Sequence, residues 1–115
     1  MQPAKEPTAA DFVLAFKAIA PVHDNHIAIL RTHAQAPGRV RTVTQLAEAV
    51  GYNGYEAINL QYGLLAKKIG EAMGHSNPNL SVLVEFAAPG AHNNPQWELT
   101  LRPAVAQAVS DMGWD

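Results

Sequence analysis

Between Leu46 and Gly70 the chain reads LAEAVGYNGYEAINLQYGLLAKKIG, two apolar stripes of helical spacing joined across a glycine-bounded turn. This stretch constrains the fold most, because a short and a long helix separated by so few residues must cross and bury their facing sides together. The short helix starts at Thr44, turns Leu46, Ala47 and Val50 inward and closes at Gly51. Thr44, Ala47 and Glu48 come close to a capping box, with the glutamate one residue late. The long helix, residues 55–73, places Ile58, Tyr62, Leu65, Ile69 and Met73 on one stripe before GHSNPN breaks it. Leu60 and Leu64 lie off that stripe, so this helix needs cover on a second side, and the helix bearing Phe12 and Phe16 is the expected cover. Gly63 and Gly70 each weaken the helix by about 1 kcal/mol relative to alanine, which marks a close approach by protein packing or by a nucleic-acid backbone.

The flanks supply further elements. Residues 1–10, with two prolines and mixed charge, read as a flexible leader, and residues 11–115 as one domain. Phe12, Ala15, Phe16 and Ile19 predict an amphipathic helix capped by Asp11 and ended by Pro21; a second helix starts at Asp24 and buries Ile27, Leu30 and Ala34. Val40 and Val43 mark a short β-prone segment. LSVLVEFAAPG and QWELTLRP read as two strands of a hairpin, and PAVAQAVSDMGW as a closing helix with Pro103 at its first position and Gly113 just past its end. The fold class is α+β and mainly helical.

Charge and composition narrow the function. A net charge of −2 gives no general attraction to nucleic acid, so any DNA-binding surface must come from local clustering. The chain has no cysteine, which excludes disulfides and thiol catalysis and fits a reducing compartment. With no bilayer-length apolar run and no signal-peptide pattern, the expected location is the cytoplasm, away from membranes.

The element order, from residue 24 to 114, resembles the winged helix-turn-helix superfamily. TVTQLAEAVGY resembles the support helix and turn, YEAINLQYGLLAKKIGEAM stands where the recognition helix stands, and SVLVEFAAPGAHNNPQWELTL occupies the wing position. RPAVAQAVSDMGW and NLQYG are similar to small winged-helix modules attached to phage and restriction-type HNH nucleases, although the nuclease motif is absent. The resemblance implies a recognition helix in the major groove, a hairpin touching the neighbouring groove or backbone, and a transcriptional regulator or DNA-targeting module.

On that reading Asn53, Asn59 and Gln61 contact bases, since Asn and Gln pair bidentately with adenine. Arg39, Arg41, Lys67, Lys68 and Tyr55 contact phosphates of double-stranded DNA. Arg39 and Arg41 alternate on an extended segment, so both point the same way and form a clamp. The wing tip offers only His92, Asn93, Asn94 and Gln96, with no cation to enter a minor groove. The alternative is a protein-interaction or inhibitor module on the same scaffold, either dimerising or a phage-encoded anti-defence protein. Leu60, Leu64 and Trp97 form its partner patch. Clustered cations around the long helix favour DNA; an exposed patch at Leu60 and Leu64, or at Trp97, favours protein. Trp97 and Trp114 otherwise close the ends of the core.

No enzyme is expected, because phosphate-loop, nucleophile-elbow and metalloprotease patterns are missing. His23, His26 and His33 read as helix-end or surface histidines, with neither metal nor cofactor expected.

Overall fold

The computed structural model describes residues 6–88 and 96–115. Helix α1 spans Ala9–Ala18 and begins two residues before Asp11. Thr8 is its cap: the Thr8 hydroxyl accepts from the Asp11 N–H at 3.2 Å, and the Asp11 carboxylate accepts from the Thr8 N–H at 2.8 Å. Asp11 is thus the third helical residue of a capping box, and residues 8–10 belong to the helix and its cap. Helix α2 covers Asp24–Gln35; His23 occupies the cap position and makes no side-chain cap bond, so Asp24 is the first helical residue instead.

Strand β1 (Val40–Thr42) leads directly into α3 (Val43–Val50). Thr42, not Thr44, starts that helix, because Gln45 stands three residues after it. The Thr42 hydroxyl accepts from the Gln45 N–H at 3.1 Å while Gln45 Oε1 accepts from the Thr42 N–H at 2.9 Å. Thr42→Ala removes one half of this reciprocal pair and is expected to cost about 1 kcal/mol in urea unfolding. Gly51 ends α3 with φ 81°, a left-handed conformation that favours glycine. Helix α4 then runs Tyr55–Ala72.

The last third contains β2 (Val84–Ala87), β3 (Glu98–Leu101) and α5 (Pro103–Asp111). Both β1 and β2 pair antiparallel with β3, giving the sheet order β1-β3-β2. In register, Arg41 opposes Leu99 on one side, and Phe86 opposes Leu99 on the other. The sheet therefore ties the segment before α3 to the hairpin sixty residues later.

The core collects one face from each helix and the inner face of the sheet. Phe12 and Phe16 of α1, Ile29 and Leu30 of α2, Leu46 of α3, Ile58, Leu65 and Ile69 of α4, and Leu99, Leu101 and Val105 of the C-terminal part are buried together. Trp114 stacks on Phe16 with ring centroids 4.9 Å apart. One of the two tryptophans thus closes the core as expected; Trp97 does not, being 51% exposed.

A buried polar junction joins three elements. His33 and Tyr62 are fully buried. The Leu99 carbonyl can only accept, so His33 Nε2–H donates to it at 2.8 Å, which leaves Nδ1 to accept the Tyr62 hydroxyl at 2.7 Å. Burial holds the His33 imidazole below its ordinary value; the Arg41 charge acts in the same direction, and the Leu99 and Arg39 carbonyls oppose it. Burial likewise pushes the Tyr62 phenol well above its ordinary range. His26 is also buried and donates to Gln61 Oε1 at 2.9 Å. The reading of His26 and His33 as surface residues is therefore corrected: both lie on the inner side of α2 with Ile29, Leu30 and their neighbours.

Candidate interaction surface

Helix α4 presents two different faces to the outside. Tyr55 and Asn59 lie within about 60° of buried Tyr62 around the helix axis, whereas Leu60 and Leu64 lie about 160° from it. The first pair borders a groove; the second stands directly away from the core.

The groove has a volume of about 640 Å³ and is bounded by the start of α3 (Val43, Thr44), the first turns of α4 (Tyr55, Asn59) and the strands (Phe86, Trp97, Leu99), with Gln96 at its rim. Its origin is the pleat. Trp97, Leu99 and Leu101 share one face of their strand and its lead-in, and Phe86 is paired with Leu99 on that face. Leu99 and Leu101 reach the core, but Phe86 and Trp97 extend beyond the helices that cover it. Phe86 is 47% exposed, Trp97 51% and Tyr55 52%. The Phe86 and Trp97 rings meet edge to face, with centroids 6.1 Å apart and an interplanar angle of 87°. That contact orients the two rings against each other. Among the described residues, no charged side chain lines the groove.

The residues expected to read bases separate. Asn53 and Asn59 are exposed, and Asn59 borders the groove. Gln61 is half-buried and spends its carbonyl oxygen on His26. Tyr55 belongs to the aromatic groove rather than to a basic surface. His92, Asn93 and Asn94 of the wing tip lie outside the described residues.

The expected phosphate contacts separate as well. Arg39 lies in a 3-10 turn, residues 37–39, with φ 58°, so strand alternation does not extend to it and does not align it with Arg41. Arg39 Nε donates to the Leu101 carbonyl at 3.1 Å, and Arg41 Nη1 to the Val40 carbonyl at 3.3 Å. The other arginines do likewise: Arg31 holds the Trp114 carbonyl, and Arg102 holds the Ser81 carbonyl and pairs with Glu85 at 3.1 Å. Each arginine of the chain thus has a structural partner within it. Lys67 and Lys68 are exposed on α4, about 18 Å along its axis from Tyr55.

Leu60 and Leu64 are 60% and 42% exposed. Helix α1 packs Phe12 and Phe16 into the core and leaves these leucines open, so the expected cover is not there. Of the two helix glycines, Gly70 is closely approached by the Pro78 ring, and Gly63 has nothing within 4 Å of where a Cβ would stand. Trp97, the third member of the expected partner patch, lies with the groove and not with Leu60 and Leu64.

Among the described residues no three His, Asp or Glu side chains converge on a position for a metal ion. None of the described helices is long and apolar enough to cross a membrane. No family model, curated protein or solved structure matches this chain.

Proposed function

We propose that this chain is a non-catalytic, cytoplasmic recognition module of the winged-helix type that binds an apolar, aromatic-bearing segment of another protein in the groove between α4 and the hairpin strands. The succession α2, β1, α3, α4, β2, β3, with the first strand added beside the last, is the arrangement expected of a winged helix and supports that part of the reading. The observation that carries the function is the set of three half-exposed aromatic rings around one uncharged groove. Tyrosine and tryptophan are the side chains that most often anchor protein interfaces, because they bury large areas with few rotors to freeze. A groove lined without charge selects a neutral apolar segment over a phosphate backbone, whose affinity comes from cations.

Duplex DNA is the second reading, favoured by the exposure of Asn53, Asn59, Lys67 and Lys68 along α4. Selection of a displayed random-peptide library on the wild type and on Trp97→Ser separates the two. The expected result is enrichment of sequences sharing aromatic or aliphatic anchors on the wild type, with that enrichment lost on Trp97→Ser. Failure to enrich any peptide, together with salt-dependent binding of mixed-sequence duplex DNA that Arg39→Ala/Arg41→Ala abolishes, would overturn the proposal in favour of DNA.

A further inference from the structure

The outward face of α4 carries one row of residues spaced four apart: Glu56, Leu60, Leu64 and Lys68. Successive members turn by about 40°, so they form a continuous ridge about 18 Å long. All four are exposed, and the two central leucines are left open by the described residues. No ion pair within the described residues engages Glu56 or Lys68. Along this row the helix is acidic at one end, apolar in the middle and basic at the other, with exposed Lys67 and Glu71 beside the basic end on the same side.

We propose that this ridge is a self-association surface through which two copies of the chain pair, α4 running antiparallel to α4 of the partner. When the pairing is centred midway between Leu60 and Leu64, Leu60 meets the partner's Leu64 and Glu56 meets the partner's Lys68. The two-fold symmetry repeats both contacts. A parallel pairing opposes Glu56 to glutamate and Lys68 to lysine, so charge selects the antiparallel direction. The same arrangement distinguishes a second copy from duplex DNA, which would meet two leucines at the centre of the helix face and a glutamate at one end. It also leaves the Tyr55/Phe86/Trp97 groove on a different face of α4, so the pairing does not rest on the groove's proposed occupant.

Sedimentation velocity of the full chain over a concentration series tests this. The wild type is expected to form dimers as concentration rises, and Leu60→Lys/Leu64→Lys to remain monomeric with an unchanged far-UV circular dichroism spectrum. Glu56→Lys and Lys68→Glu alone each place like charges across the two-fold and are expected to weaken pairing about tenfold, a change of about 1.4 kcal/mol in association free energy. An equimolar mixture of these two single variants restores attraction at both ends and is expected to dimerise where neither does alone. A wild type that stays monomeric throughout the series, a dimer that survives the double lysine variant, or a mixture that fails to pair would each overturn the proposal.

Discussion

Replacing His33 with leucine is expected to lower stability by about 3 kcal/mol, or about 10 °C in Tm. The volume change is small, so the cost comes from polar groups stranded in the core. Without the imidazole, the Tyr62 hydroxyl loses its acceptor and the Leu99 carbonyl loses a donor, both at a site closed to water. Each unsatisfied buried group costs about 1–3 kcal/mol. Tyr62→Phe strands only His33 Nδ1 and is expected to cost less than His33→Leu.

The same junction makes stability depend on pH. The native His33 imidazole has a pKa held below 6.5, chiefly by burial, while the unfolded chain titrates near 6.5. Below that pH the unfolded chain takes up a proton that the native state refuses, so the His33 contribution is complete above 6.5 and falls on acidification towards the native pKa. The limiting slope is about 1.4 kcal/mol per pH unit. Urea midpoints measured at several values between pH 7.5 and 5 are expected to fall more steeply for the wild type than for His33→Gln. Every other ionisable group is common to both proteins, so the difference isolates His33. Parallel pH profiles would refute the neutral, buried assignment.

The second large effect comes from one substitution made at two places in α4. An alanine Cβ at Gly70 collides with Pro78, standing 2.8 Å from its Cγ and 3.2 Å from Val82 Cγ2. A proline ring has little freedom to yield, so the loop after α4 must move; overpacking of this kind costs about 1–3 kcal/mol and outweighs the gain of about 1 kcal/mol in helix propensity. At Gly63 there is no such neighbour, and alanine keeps the propensity gain. Gly70→Ala is therefore expected to lower the urea midpoint and Gly63→Ala to raise it. Equal effects of the same sign would show that the Pro78 contact does not control this position.

What the sequence disclosed follows from range. Local patterns were legible: the stripe Ile58, Tyr62, Leu65 and Ile69 is buried as its spacing requires, Pro103 opens the closing helix and Gly51 ends α3, while of the two late strands the second forms as read and the first only from Val84, Leu80–Val82 turning as a 3-10 helix instead. The capping motifs were misplaced by two or three residues, because several Thr and Asp residues compete at each helix start and only the reciprocal partner decides. Thr42 with Gln45, and Thr8 with Asp11, win on that criterion.

Long-range facts were not legible. The pairing of Val40 with Thr100 has no local signature in either segment. Whether α1 covers Leu60 and Leu64 depends on its docking angle, since its own buried stripe reads the same in either case. The burial of His33 did leave a signal: it stands three and four residues after Leu30 and Ile29, on the apolar side of α2. The functional surface was only half visible for the same reason. Leu60, Leu64 and Trp97 were recognisable as surplus apolar groups, but Phe86 looks like an ordinary strand residue until the fold sets its ring against Trp97 in the groove that Tyr55 also lines. The paired arginines misled because alternation was assumed through a segment where Arg39 takes a left-handed conformation and turns back to its own sheet.

In the proposed function, α4 and the hairpin strands present an aromatic protein-binding groove rather than a phosphate-binding one. Two-dimensional ¹H–¹⁵N NMR tests it most directly, by following the Trp97 indole N–H and the Asn59 side-chain amide during titration with a selected peptide and, separately, with mixed-sequence duplex DNA at low salt. The expected result is that the peptide shifts both signals and DNA leaves them in place. Salt-dependent shifts at Arg39, Arg41, Lys67 and Lys68 on adding DNA, with no response of Trp97 to any peptide, would contradict the account and establish a nucleic-acid reader in its place.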